Sequence, residues 1–190
     1  MPNYNRRRSL GGTYFFTARL ADRSSTLLRD ETDRLRDATR QTLARYPFQI
    51  DAIVVLPAVI HTIWTLPAGD ANYSLRWSML KSLFSKSLPD PTHRSMAQRR
   101  RGEKGIWQQR FWEHLIRNTA DYEAHLQLIH TSPVQAGLCA TPQDWPHSSV
   151  HRYVSRNGPL INAPGHGAAR LPVTPIHATT YREEGFSHHP

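Results

Sequence analysis

The chain has 190 residues, a formal net charge of +9 and a sequence pI near 10.3, so it is long enough for one domain with a real core and carries a strong cationic excess. A single cysteine, Cys139, excludes an intramolecular disulfide and any paired-cysteine metal site, which fits a reducing cytosol. No run approaches the roughly 18 apolar residues of a membrane span, and the basic N-terminus lacks the apolar stretch of a secretory signal, so the expected compartment is the cytoplasm and the first partner for the charge is nucleic acid.

In chain order, residues 13–20 (TYFFTARL) follow Gly11-Gly12 and read as a strand, aromatic and Thr-rich. Asp30 is placed to cap a helix from Glu31 to about Tyr46, which Pro47 stops. Residues 48–56 (FQIDAIVVL) read as a largely buried strand, Pro57-Ala58 as a turn, and residues 59–66 (VIHTIWTL) as the antiparallel return strand. Residues 74–88 form the clearest helix, with Leu75, Met79, Leu83 and Ser87 at a spacing of four and Leu80, Phe84 and Leu88 beside them. A basic loop, 89–105, leads to an aromatic strand over 106–116. Asn118, with Asp121 three residues on, starts a helix running to about Thr131 that Ser132-Pro133 ends. The order β-α-β-β-α-β predicts a single α+β domain, a split βαβ, ferredoxin-like sandwich. It occupies residues 1–154; residues 155–190, rich in Gly, Pro and His without apolar periodicity, read as a disordered tail.

The charge is clustered. Arg6, Arg7 and Arg8 contribute +3, and Arg94, Arg99, Arg100, Arg101, Lys104 and Arg110, relieved by Glu103, contribute +5. A solvated loop explains either cluster alone; two in one small domain favour phosphate contact.

Six segments in order then carry a resemblance: RRRSLGGTYFFT (6–17), LPAVIHTIWTLP (56–67), KSLFSKSLP (81–89), RRRGEKGIWQQRFWEHLI (99–116), HLQLIHTSPVQAGL (125–138) and DWPHSSVHRY (144–153). Together they resemble the REP-associated tyrosine transposases, relatives of the single-tyrosine HUH transposases of bacterial insertion sequences. The resemblance implies an HUH endonuclease-like, ferredoxin-like core. It also implies a bacterial, nucleoid-associated protein that handles single-stranded or hairpin DNA as a monomer or homodimer. In that family a tyrosine attacks the phosphodiester, and a divalent metal, Mg²⁺ or Mn²⁺, is held by a His-x-His strand pair and by a polar residue one helical turn after the tyrosine. The geometry is sound: residues i and i+2 on a strand share a face, as do i and i+4 on a helix.

The chain departs from that pattern at each chemical position. Val59 stands where the resemblance places the first histidine, leaving His61 as the remaining ligand; Leu128 stands at the tyrosine position, and Ser132 at the polar-ligand position. Valine offers no lone pair, one imidazole and one hydroxyl suit a hard cation poorly, and leucine cannot attack phosphorus. His61 reads as a relic facing the former site, with a strand histidine satisfied by a neighbour as the alternative. Tyr4, Tyr14, Tyr122 and Tyr153 are conceivable substitute nucleophiles, Tyr122 reading as core. His114 and His130 also match family positions, as contacts to DNA or to nearby backbone.

The DNA-binding apparatus looks less altered. The resemblance assigns Arg6, Arg7, Arg8, Gly11, Gly12 and Tyr14 to reading a short sequence beside the hairpin, and Arg99, Arg100, Arg101 and Lys104 to the hairpin backbone. Trp107, Phe111 and Trp112 interleave with Arg110, and packing is expected for at least two of the three; Lys81 and Lys86 are further candidate phosphate contacts. The expectation is a DNA-binding protein with catalysis lost or impaired. The alternatives are an active transposase and a decaying, non-functional copy.

Overall fold

Period-two burial organises the molecule. In the computed structural model, which describes residues 9–89 and 104–157, the strands β1 (Thr13–Arg19), β2 (Gln49–Val55), β3 (Val59–Thr65) and β4 (Trp112–Leu115) form one antiparallel sheet in the order β2-β3-β1-β4. The chain passes from β1 to β2 through α1 (Leu27–Asp30) and α2 (Thr32–Arg45), and from β3 to β4 through α3 (Tyr73–Ser87). Each crossover skips one strand, which is the split βαβ, ferredoxin-like arrangement expected from the element order. Two further helices, α4 (Thr119–Gln135) and α5 (Val150–Asn157), follow β4. Arg6, Arg7, Arg8, Arg94, Arg99, Arg100, Arg101, Tyr4 and the tail beyond residue 157 lie outside the described residues.

Both faces of the sheet are buried, so alternate residues of one strand enter different cores. Tyr14, Phe16 and Ala18 of β1 and Ile60 and Trp64 of β3 pack with α2 and α3, where Trp64 stacks on Trp77 at 4.4 Å. Phe15, Ile63, Ala52 and Val54 form the opposite core with Ile129 of α4 and Trp145. The second core places α4 over the sheet.

Four expectations need correction. Asp30 does not cap the long helix: the chain turns helical earlier because Leu28 is fully buried, and the Asp30 carboxylate instead accepts from Thr26 Oγ1. In α3 the buried side is Trp77, Leu80 and Phe84 with Arg76, while Leu75 is exposed. Only Trp112–Leu115 of the expected strand 106–116 joins the ladder, because Trp107 and Phe111, four residues apart, both turn into the α2/α3 core while Gln109 and Arg110 between them stay exposed. α4 does not stop at Pro133 but runs to Gln135.

Gly137, at φ 67°, closes α4: the Gly137 N–H donates to Val134 O and the Leu138 N–H to Pro133 O, both at 2.9 Å, a Schellman end that only a residue at ease in the left-handed region forms cheaply. Among the described residues no helix is long and apolar enough to cross a membrane.

Trp77→Ala removes the ring that Trp64, Phe16 and Phe111 share. Urea denaturation is expected to show a loss of about 3–5 kcal/mol.

Candidate functional site

On α4, residues 121, 125, 128 and 132 fall within about 60° of one another at 100° per residue, so they form one stripe. The Asn118 side chain starts the helix by accepting from the Asp121 N–H at 2.9 Å, as the sequence pattern predicts. The stripe has two halves with different chemistry.

The C-terminal half meets β3. Val59 and Leu128 are partly buried and border the same apolar cluster, with Phe15, Ile63, Ile129 and Trp145. The two positions suspected from sequence thus border one cluster, from strand and from helix, and both are hydrocarbon. His61 shares the face of Val59 but is engaged: its Nδ1 lies 2.9 Å from Thr17 Oγ1, and its ring stacks on Phe15 at 5.8 Å with planes 13° apart. The hydrogen bond occupies one ring nitrogen of His61, as the alternative of a strand histidine satisfied by a neighbour expects, and leaves Nε2 outside that bond. Burial, with Arg19's charge second, lowers its pKa to about 4, so it is neutral at pH 7.

Ser132 is likewise occupied. Pro133 has no N–H to donate to Ile129 O, one turn back, and the buried Ser132 hydroxyl donates to that carbonyl instead, at 3.0 Å. This lets α4 continue through its internal proline and fixes the orientation of the hydroxyl.

The N-terminal half meets β4 and is polar. His114 Nε2 lies 2.9 Å from Asp121 Oδ2, and His125 Nδ1 lies 3.1 Å from Asp121 Oδ1 and 2.8 Å from the Asp121 carbonyl. The Arg117 N–H also donates to Asp121 Oδ2, at 3.0 Å. These hydrogen bonds outweigh burial and hold the carboxyl below its usual range. The donor atoms of the three residues all lie within 4.8 Å of one another. Sequence reasoning noted His114 alone; the signal available was a helical Asp-x-x-x-His with a histidine seven residues ahead of the aspartate.

The expected nucleic-acid contacts divide. Gly11, at φ 65°, and Gly12 build a tight approach: a Cβ on Gly12 would lie 2.9 Å from the Tyr14 ring and 3.0 Å from Ser9 O. Tyr14 is not a surface contact. It is fully buried, and its hydroxyl donates to Ser9 O and accepts from Ser9 N–H, pinning the turn. Beside it an open groove of about 570 Å³ runs past Ser9, Gly12, Thr13, Arg117, Asn118 and Tyr122. Lys104 Nζ donates to Leu88 O, and Lys81 Nζ to Gln108 O while lying over Trp107 and Phe111, so both lysines brace the fold. Arg110 is exposed. Of the three aromatics only Trp112 is at the surface, half exposed, its ring parallel to His114 within 5° at 5.8 Å.

No family model matches the chain. A REP-associated tyrosine transposase of Escherichia coli K12 is 44% identical over 156 residues, covering 82% of this chain and 87% of that protein. The chain belongs to the REP-associated tyrosine transposase family. A Haemophilus influenzae protein assigned to the same family is 44% identical over 155 residues, 81% of this chain and 88% of that one. A solved REP-associated tyrosine transposase bound to a REP hairpin superposes with a TM-score of 0.72 at 39% identity, spanning 94% of this chain and 100% of the other.

Tyr14, Tyr122 and Tyr153 are each engaged within the fold of this family member. Burial and a hydrogen bond donated to Tyr153 push the Tyr122 pKa well above its ordinary value, which disfavours a phenolate. Tyr153 donates to Asp51 O at 3.0 Å, and Tyr14 is sealed in the core. The buried His130 packs edge-on to Tyr153 at 4.9 Å, and burial lowers its pKa to about 4. Its Nε2 has no hydrogen-bond partner among the described residues.

Two outcomes follow. Ser132→Ala is expected to cost about 1–2 kcal/mol, by stranding the Ile129 carbonyl. The same change in a Pro133→Ala background, where residue 133 regains its N–H, should cost markedly less, and a double-mutant cycle by urea denaturation reads the difference. His61 and His130 have folded pKa values of about 4, below the unfolded value near 6.5. Below that unfolded value the unfolded chain binds more protons than the native one. Their contribution to stability is therefore full above about pH 6.5, falls as pH drops towards 4 and levels off beneath it. The double variant His61→Gln/His130→Gln should flatten that slope in denaturation at pH 7 and 4.5.

Proposed function

We propose that this protein binds single-stranded or hairpin DNA of the REP type and no longer performs strand transfer. The observation that carries the reading is the apolar seam at Val59 and Leu128: hydrocarbon from both β3 and α4 stands where the family resemblance puts a metal ligand and the nucleophile. Covalent catalysis needs an atom that leucine lacks. The divalent metal of the family is poorly served by these residues, since Val59 has no donor atom and one imidazole at His61 with one hydroxyl at Ser132 suits a hard cation badly.

Binding rests on different parts of the chain. The relative solved on a REP hairpin shares the fold at 39% identity. The groove beside Gly12 is edged by the exposed Arg117 and by the first turn of α4, whose N–H groups favour an anion. Arg6, Arg7, Arg8, Arg99, Arg100, Arg101 and Arg110 supply the positive charge that a sugar-phosphate strand requires. Trp112 offers a half-exposed ring, backed by Phe15 and His114, on which a base can stack.

Fluorescence anisotropy with labelled hairpin DNA is expected to show affinity falling about a thousandfold between 50 and 200 mM salt, for roughly six phosphate contacts. Trp112→Ala should weaken binding about tenfold, the low end for one stacked base. Incubation with Mg²⁺ or Mn²⁺ followed by denaturing electrophoresis should leave no covalent protein–DNA adduct. An adduct, or a flat salt response, would overturn the reading.

A further inference from the structure

We propose that His114, Asp121 and His125 form a binding site for a borderline transition-metal cation such as Zn²⁺ or Co²⁺, separate from the family's metal position. Phe15 touches a residue of each place: its ring stacks on His61 of β3 at 5.8 Å and meets His125 of α4 at 4.6 Å. Val59 and Leu128 thus belong to one half of the α4 stripe and this cluster to the other.

The donor set is a built one. His114 comes from the end of β4, while Asp121 and His125 stand one turn apart on α4, so strand and helix converge on one point. His125 is buried, and His114 and Asp121 keep only 23% and 19% of their side-chain surface exposed. Ligand atoms about 2.0–2.1 Å from a tetrahedral Zn²⁺ lie about 3.3 Å apart. The His114–Asp121 and Asp121–His125 separations of 2.9 and 3.1 Å need to open by only a few tenths of an ångström. Two imidazoles and one carboxylate select borderline divalent metals over Mg²⁺.

The surroundings match a metal site as well. The Arg117 N–H orients the Asp121 carboxylate, and Phe15 and Trp112 pack against the two imidazoles, which narrows access and fixes the rings. In the metal-free chain, protons hold the cluster together, with His114 Nε2–H donating to the carboxylate and His125 Nδ1–H to the Asp121 carbonyl. A bound cation displaces those protons at the donor atoms. The partly exposed side leaves one coordination position for water or an anionic oxygen. The inference does not depend on DNA binding.

The test uses the full-length, chelator-treated protein titrated with Co²⁺, followed by visible absorption, and with Zn²⁺ by calorimetry. One equivalent of Co²⁺ should develop visible ligand-field bands that Zn²⁺ abolishes. His114→Gln and His125→Gln should each lose the bands, and Asp121→Asn should weaken binding at least tenfold. His61→Gln, and the pair His188→Ala/His189→Ala, should keep them. Far-UV circular dichroism and a metal-free melt establish that each variant is folded. In addition, Zn²⁺ should raise the melting temperature of the parent and not that of His125→Gln. Absence of binding by the parent overturns the proposal, as does binding that survives both His114→Gln and His125→Gln. Binding lost on changing His61 or His188/His189 overturns it too.

Discussion

The packing of the Phe15 ring under α4 is the interaction on which the rest of this face depends. Phe15 is almost fully buried in the middle of β1, the central partner of β3 and β4. Its ring touches His61 on one side, His125 above, and Trp112 towards the open edge of the sheet. It therefore holds α4 against the sheet and divides the helix stripe into an apolar half and a polar half. A smaller side chain there would merge the two and admit water between them.

On the function proposed above, the apolar half is a catalytic position converted into core. Each of Val59 and Leu128 adds hydrocarbon to a cluster that already holds Ile63, Ile129 and Trp145. A nucleophile and a metal ligand need polar surroundings and solvent access, which oppose close packing; replacing them removes that conflict. Ser132 serves the backbone at Pro133 by donating to Ile129 O.

Much of the fold was legible in advance because its signals are local. The alternation in TYFFTARL and VIHTIWTL, the Asn118 cap and the Pro57-Ala58 turn each state their own conformation. The misreadings occurred where a distant partner outweighs local preference. Pro133 was read as a helix end because its missing N–H is visible in sequence, whereas the Ser132 hydroxyl that compensates is visible only once its rotamer is known. Trp107 and Phe111 were read as strand residues, and Tyr14 as a ligand contact, because aromatic residues suit a sheet, a core or a bound base equally well until the α3 helix is in place.

For the site, the sequence by itself determined what is chemically impossible: no lone pair at Val59, no nucleophilic oxygen at Leu128, no cysteine pair to hold a metal. Those are properties of side-chain atoms and need no coordinates. Only the tertiary structure decided which residues meet. His61 is tied to Thr17 across a strand pair, and three donors from β4 and α4 converge beside Phe15. The reason is that hydrogen bonds and coordination act over about 3 Å, a distance that packing sets between segments the sequence leaves far apart.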